Sequence, residues 1–286
     1  MSATTPLAPA RVGRDGTLRL RFERRGSESI VAGCRYTLPL QMLAPVALGD
    51  PAAVVSILNP TGGLVGGDRL SIEVEATAGA HAVLTTPSAT RVYRTDGAAA
   101  IQSVKISIGP QAAVEWVPDH TIPFAGSAFR QTLDVEMDEH ARLILVDSFS
   151  AGRVGRGEVW QFALLDSAVS IRDRQGWLLH DRLALRGPMT GRGTAWDGLG
   201  SAESQPYFAT IAVVGCFDRE RFADDLGRQC PGVDAGRIGV AVLARRGLLI
   251  RCLAPSAPEL LDTIEACRGL ARQALLGLPP LALRKG

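Results

Sequence analysis

Seven carboxylate and imidazole side chains fall at or just after the ends of predicted β-strands, and these residue types can bind a divalent metal ion. They are Asp68, Asp119, His120, Asp147, Glu158, His180 and Asp181. Oxygen and imidazole donors suit a borderline divalent ion such as Ni²⁺. Weak, well-separated ligands favour passage of an ion over storage, because the ion must leave each position as readily as it enters. Taken singly, each residue is explained as well by a turn cap or an arginine partner, and that alternative stays open.

A glycine-rich segment precedes one of these carboxylates. Residues 59 to 68 read Asn-Pro-Thr-Gly-Gly-Leu-Val-Gly-Gly-Asp, with glycines at Gly62, Gly63, Gly66 and Gly67. Glycine is used where the backbone needs positive φ or must lie close to another group. The segment therefore predicts a specific structural loop that presents Asp68 just before a strand, with a flexible connection as the alternative.

This loop does not fit either common phosphate-binding motif. A P-loop requires lysine after its second glycine, where this chain has Asp68. A dinucleotide fingerprint requires a helix after the glycines. Here Leu70, Ile72 and Val74 alternate with polar residues, which is typical of a strand. A carboxylate at this position would also repel phosphate.

The elements that position the candidate ligands form a repeated pattern. Each unit has an alternating strand, a short polar turn, a more apolar strand and a polar cluster. The four units begin at Leu70, Val104, Leu133 and Val169, and their polar clusters are 85–87, 118–120, 147–148 and 180–181. Repeats of roughly 20 to 50 residues stack on one another. We therefore expect the polar clusters to form one line. On this interpretation, Asp68, Asp147 and Asp181 face an internal hydrated space. The alternative is that the clusters are ordinary turns at the ends of strands.

Two helices are predicted outside the repeats. The first spans 218–227, with Asp218 as a possible cap. The second spans 257–276, where acidic residues lead and Arg268 and Arg272 trail, the order that the helix dipole favours. The apolar stripe of this helix and the tail 278–283 predict an interface with a partner. Closure of the end of the stacked repeats is an equally good alternative. The glycine-rich stretch 187–206 is assigned to no element.

Composition restricts the classes of protein that remain. The chain has 286 residues, 46% of them hydrophobic and 21% charged, which is typical of a globular protein. The net charge of +2 with no basic cluster does not indicate a nucleic-acid partner. The first ten residues lack the pattern of a signal peptide, and no apolar run is long enough for a membrane span. We expect a cytoplasmic protein with a disordered tail at 1–15 and a single domain at 16–286.

No catalytic or preformed metal motif is apparent. The five cysteines contain no Cys-x-x-Cys pair and are interpreted as small buried hydrophobic residues. Neither Gly-x-Ser-x-Gly nor His-Glu-x-x-His occurs. The prediction is therefore a protein that is not an enzyme and has no tightly bound cofactor.

Four segments together resemble one known family. They are 59–68; Leu-Thr-Thr-Pro-Ser-Ala-Thr-Arg-Val-Tyr-Arg at 84–94; Glu-Trp-Val-Pro-Asp-His-Thr-Ile at 115–122; and Gly152-Arg153 with Gly157-Glu158. In order and spacing they are similar to the urease accessory protein D family, called UreH in some bacteria. The resemblance covers roughly residues 15 to 280. Thr61, Ser88 and the segment 147–151 depart from the commoner family residues.

The resemblance implies both a fold and a function. The implied fold is all-β with two helices, a right-handed β-helix-like solenoid. The implied function is a non-enzymatic chaperone that joins apo-urease to the accessory proteins F and G, the latter a GTPase, and lets Ni²⁺ pass transiently along an internal water-filled path. Hydroxyls of Thr85, Thr86 and Ser88 would line that path.

Two other classes of function fit the sequence less well. A β-solenoid that binds or cleaves carbohydrate would need an exposed aromatic platform, and only 5% of the residues are aromatic. A nucleotide-dependent enzyme using the 62–68 loop is disfavoured by Asp68 and the strand after it.

Overall fold

The computed structural model describes residues 14–187, 202–230 and 237–283, and this part of the chain is mainly β. The strands of its first half are β1 (Asp15–Arg25), β2 (Glu28–Thr37), β3 (Gln41–Met42), β4 (Ala53–Leu58), β5 (Arg69–Ala76), β6 (His81–Thr85), β7 (Thr90–Val92), β8 (Ala100–Ile108), β9 (Ala113–Trp116) and β10 (Thr121–Pro123). The remaining elements are β11 (Ala128–Met137), β12 (Arg142–Ser150), β13 (Leu164–Asp173), β14 (Gly176–Arg186), β15 (Tyr207–Val214), α1 (Arg219–Gln229), β16 (Ile238–Val242), β17 (Gly247–Ala254) and α2 (Ala257–Ala271).

Two sheets face each other. The first sheet has the order β14-β13-β11-β8-β5-β1-β2, in which the five central strands are parallel and the two edge strands antiparallel. The main path of the second sheet is β16-β17-β15-β12-β9-β6-β4-β3, parallel from β4 to β12. A short third ladder joins β7 and β10 in parallel and connects them to β12.

The chain winds repeatedly through these three ladders. It passes from β5 to β6 to β7, then from β8 to β9 to β10, and then from β11 to β12. The arrangement is a β-solenoid of about four turns with two helices, which confirms the predicted fold class. In-register stacking of parallel strands brings equivalent residues of successive turns side by side.

Alternating strands create two hydrophobic cores. Inward residues such as Leu20, Ile72 and Leu145 fill the space between the sheets. The opposite face of the second sheet packs against the helices, through residues such as Ile144 and Leu260. The second sheet is therefore buried on both faces, which explains its nearly continuous apolar sequence.

Both predicted helices are present. Asp218 caps α1 by accepting a hydrogen bond at 3.0 Å from the Arg221 amide, and the helix runs two residues beyond the predicted end at Gly227. Ser256 caps α2, and a π-helical turn at Arg272–Leu276 extends it to a left-handed Gly277. No helix in the described ranges is long and apolar enough to cross a membrane.

The fourth predicted repeat differs from the others. After β13 the chain turns back at residues 174 and 175, and β14 pairs antiparallel with β13 at the edge of the first sheet. The strand expected to join the second sheet therefore stays in the first sheet. The expected tail at 1–15 and the stretch 187–206 lie largely outside the described residues, although β1 already begins at Asp15.

Candidate functional site

The glycine loop connects β4 to β5 and lies against the chain around β7. Gly62, Gly63 and Gly67 have φ values of +81°, +154° and +86°, which L-residues rarely adopt. A Cβ on Gly63 would overlap the carbonyl oxygen of Arg91. That close approach is required because the Leu64 amide donates to the same oxygen at 2.8 Å. The predicted structural role of these glycines therefore has a direct geometric cause.

Asp68 closes this loop on itself. Its two carboxylate oxygens accept hydrogen bonds from the backbone amides of Arg14 at 2.8 Å and Val65 at 2.9 Å. The side chain is only 4% exposed and is not among the residues that line the internal cavity described below. The expectation that Asp68 faces a hydrated space is therefore wrong, because its oxygens are committed to the loop and the chain entering β1.

We expect Gly63→Ala to lower stability by on the order of 1–3 kcal/mol. The cause is the combination of a left-handed φ with the overlap between the new Cβ and the Arg91 carbonyl. Thermal unfolding measures the effect. Gly97→Ala is the matched control, because a Cβ there meets nothing within 4 Å. Equal unfolding midpoints for the two variants would show that the loop tolerates a side chain and is only a linker.

A cavity of about 140 Å³ lies behind the glycine loop, between the sheets, and its lining reaches the surface at the exposed residues Pro87 and Ser88; we call it the loop cavity. Much of its polar lining comes from the C-terminal parts of stacked second-sheet strands and the turns after them, and the rest includes residues of the glycine loop, the segment around β7 and the first sheet. The first group is Thr85, Thr86, Ser88, Asp119, Asp147 and Ser148, and the second includes Asn59, Arg91, Gln102 and Gln131. The β-ladders place these ends side by side, since Leu84 pairs with Trp116 and Trp116 with Leu145. For three of the four units, the polar clusters are thus adjacent, as the repeat predicted.

Asp147 is the buried carboxylate of this cavity. It accepts hydrogen bonds from Gln131 Nε2 at 2.8 Å and from the Ser167 hydroxyl at 2.7 Å. Gln131 Nε2 also lies 3.2 Å from Ser167 Oγ, and Gln102 Nε2 donates to Gln131 Oε1 at 2.9 Å. Two polar side chains of the first sheet therefore contact one carboxylate of the second, and Gln102 supports one of them.

Burial controls the protonation of this group. Removal from water raises the pKa of Asp147 from 3.8 to about 6, against the opposing effect of the hydrogen bonds from Ser167 and Gln131. The negative charge of Asp181 raises the pKa further. A cation that enters the loop cavity would stabilise the ionised carboxylate, because burial has removed that carboxylate from water. The cavity therefore favours positive charge, although the described residues form no preformed ligand cage.

On the β15 side of Asp147, the second sheet borders another cavity. Thr210 pairs with Asp147 across β12 and β15 and lines a second cavity of about 390 Å³, the aromatic cavity. Trp160 and Phe208 stack in its wall, and Arg251 lies at its polar side. Arg251 Nη2 donates to Asp181 Oδ1 at 2.5 Å, so Asp181 already has a cationic partner.

The other predicted ligands lie apart from the loop cavity's buried end. Glu158 pairs with Arg153, whose guanidinium holds the pKa of that carboxyl below its usual range. His180 is exposed on β14, with Nδ1 at 3.1 Å from Ser170 Oγ. His120 is buried, and its ring meets that of Tyr207 edge-on at 5.9 Å. Of the seven predicted ligands, Asp119 and Asp147 line the loop cavity, and Asp181 pairs with Arg251 at the aromatic cavity.

The sequence interpretation missed Gln102, Gln131 and Ser167. Each occupies an inward position of an alternating strand, where apolar residues otherwise occur, as in Phe129, Gln131 and Leu133 of β11. A polar residue in the buried register was the available signal. Register pairing of Gln131 with both other residues then forms the row.

A buried ion cluster on the other face of the second sheet was also missed. Glu115 of β9 is fully buried and contacts His81 Nε2 at 2.9 Å, Arg272 Nη1, and, at 3.9 Å, Arg268 Nη1. Arg272 also pairs with Asp50. Arg268 and Arg272 donate to the carbonyls of residues 281 and 279, so the tail predicted to be an open interface is held against α2 and Leu281 is buried.

The described residues define a β-solenoid protein that encloses a polar cavity with a buried carboxylate. Within residues 14–187, 202–230 and 237–283, no group of three or more His, Cys, Asp or Glu is placed to hold a metal ion.

Comparison with known proteins identifies the family. Residues 14–285 match the family model described as UreD urease accessory protein. The chain is 35% identical over 275 residues to urease accessory protein UreD of Alkalilimnicola ehrlichii, covering 96% of this chain and 91% of that protein. It is 33% identical over 284 residues to the protein of that name from Deinococcus radiodurans, covering 98% of each. The chain belongs to the UreD family of urease accessory proteins, and this membership supports a role in urease maturation.

Proposed function

We propose that this protein is a non-catalytic chaperone of urease maturation that joins apo-urease to the accessory proteins F and G and lets Ni²⁺ cross its interior. The observation that carries the proposal is the loop cavity with Asp147 at its buried end. A divalent ion is the cargo in this proposal, so the site needs to admit it and release it.

The lining of the cavity suits transient binding. Hydroxyls, amides and two carboxylates offer oxygen donors, which hard and borderline divalent ions accept. One buried carboxylate attracts a cation, and the absence of a compact ligand group within the described residues keeps the affinity low. Thr210, which pairs with Asp147, lines the aromatic cavity, and the proposed route of the ion runs from the loop cavity past Asp147 to that cavity.

The glycine loop does not support the alternative of a nucleotide-dependent enzyme. Its amides are used internally: Gly62 donates to Asn59, Leu64 to Arg91, and Gly67 to Ala99. The Val65 amide donates to Asp68. A phosphate cradle needs several free amides pointing at the ligand, together with positive charge. Here the loop instead forms one wall of the cavity.

The test for transfer is co-expression of urease with its accessory proteins and either Asp147→Asn or Ser88→Leu in this chain. Removing the buried charge or narrowing the cavity mouth should lower the nickel content of purified urease several-fold, with partner binding retained. Nickel is measured by elemental analysis, and binding to the F protein by size-exclusion chromatography. Asp166→Asn is the control, because Asp166 pairs with Arg182 on the outer face of the first sheet.

The outcomes separate transfer from assembly. If Asp147→Asn leaves urease fully loaded with nickel, the ion does not pass Asp147 and the transfer part of the proposal fails. If both variants lose the F protein before nickel loading falls, the cavity residues support an interface. Failure of the unchanged chain to associate with F would refute the scaffold part.

A further inference from the structure

Gln131 occupies a position that the proposed transfer leaves unexplained. It lies on the inner face of β11, is 7% exposed, and bridges the two sheets through its amide. An unpaired amide at this depth would be costly, and its carbonyl oxygen and amide nitrogen both have partners.

The hydrogen bonds fix which end of the amide faces the carboxylate. Gln102 Nε2 donates to Gln131 Oε1, so the amide nitrogen of Gln131 is the end presented to Asp147 and Ser167. Ser167 donates to the second oxygen of Asp147. The carboxylate is thus oriented by two neutral donors, Gln131 and Ser167.

The number of acidic side chains beside Asp147 affects how tightly a divalent ion is bound there. Ion affinity rises with the number of charged ligands around a site. A neutral amide at position 131 orients Asp147 yet adds no charge, whereas glutamate of nearly the same size would place a second carboxylate against the first.

We propose that Gln131 is the positioning residue that orients Asp147 without adding a second charge beside it, so that a divalent cation is admitted to the loop cavity but not retained. The inference rests on the proposed function for its account of delivery. Its binding component concerns the purified full chain alone, and therefore stands or falls independently of urease.

The test compares Ni²⁺ retention and delivery in matched variants. Gln131→Glu should bind Ni²⁺ on the order of tenfold more tightly in equilibrium dialysis with nickel chloride, and nickel delivered to co-expressed urease should fall. Thr132→Glu is the matched control: it adds the same charge to the next residue of β11, on the exposed outer face. The control should retain no additional Ni²⁺.

A charge exchange distinguishes positioning from a structural role. The double variant Gln131→Glu/Asp147→Asn has one carboxylate at positions 131 and 147 together, as the unchanged protein does. We expect it to lose the extra retention and to deliver more nickel than Gln131→Glu. If Gln131→Glu does not fold, this double variant, with the native charge, still tests the inference through delivery relative to Asp147→Asn.

Three results would overturn the inference. The first is equal Ni²⁺ retention by folded Gln131→Glu and Thr132→Glu. The second is a double variant that delivers no more nickel than Asp147→Asn. The third is tight retention by Gln131→Glu with undiminished delivery. Normal delivery by Asp147→Asn alone refutes the proposed transfer route, whatever Gln131→Glu retains.

Discussion

Glu115→Gln should destabilise the protein by about 3–5 kcal/mol, the usual cost of removing one partner from a buried ion pair. Glu115 is completely buried and is a shared counterion of Arg268 and Arg272, whose side chains are equally buried. Glutamine keeps the shape but leaves the two guanidinium groups with less negative charge. Urea unfolding followed by circular dichroism measures the loss.

A surface ion pair provides the control. Glu136 pairs with Arg172, and both side chains are more than half exposed. Exposed pairs contribute about 0–1 kcal/mol, so Glu136→Gln should change the unfolding midpoint little. A loss below about 1 kcal/mol for Glu115→Gln would contradict the importance assigned to the buried cluster.

The buried ion cluster around Glu115 connects α2 to the second sheet and to the tail. Arg272 reaches from the end of α2 to Glu115 and Asp50, and also donates to the carbonyl of Pro279. The same guanidinium thus fixes the helix, the second sheet and the tail relative to one another. We expect Glu115→Gln to loosen α2 and the tail together, before the solenoid unfolds.

The solenoid could be predicted because its turns repeat a local signal. Alternation in β5, β8 and β11 marks the strands whose inner faces fill the core, and the apolar strands that follow mark the doubly buried second sheet. Polar residues after each apolar strand then mark the ends that stack around the loop cavity. These signals are periodic and local, so a single sequence carries them.

The fourth unit could not be predicted in the same way. The pattern around Val169 and Trp177 is also two strands and a turn, but here β14 pairs antiparallel with β13. Local sequence specifies that a turn occurs, whereas the sheet that the next strand joins depends on long-range packing. His180 consequently lies on the exposed side of β14, away from the loop cavity.

The site was predicted only in part, for the same reason. Thr86, Asp119 and Asp147 follow from the repeat, but the partner of a carboxylate depends on distant strands. Asp68 turned out to serve the backbone of its own loop, and Gln131 became visible as a site residue only through register with β8 and β13. Residue type alone cannot distinguish these roles.

Asp147 combines a proposed function with a cost in stability. Burial raises its pKa to about 6 in the folded protein, above the 3.8 of an ordinary aspartate. The folded state therefore binds the proton more tightly than the unfolded state. The stabilisation that comes from this bound proton is fully present below pH 3.8 and is lost as the pH rises through 6.

Asp147→Asn should therefore be more stable than the unchanged protein at pH 8. A shift of about two pKa units corresponds to about 3 kcal/mol in favour of the variant, reduced by any loss in hydrogen bonding. Asparagine can accept from Gln131 and donate to Ser167 Oγ, so both partners keep a hydrogen bond, although the Ser167 hydroxyl loses its acceptor. Thermal and urea unfolding between pH 4 and pH 8 measure the difference, which should grow with pH.

The opposite sign is expected for Asp166→Asn. The hydrogen bond from Arg182 lowers the pKa of Asp166, so its contribution to stability is present above the ordinary aspartate pKa and is lost as pH falls. That variant should be less stable at pH 8 and should still deliver nickel. Greater stability of Asp147→Asn together with reduced nickel delivery would identify a carboxylate retained for function at the expense of stability. Lower stability of Asp147→Asn at pH 8 would show instead that the carboxylate holds the two sheets together.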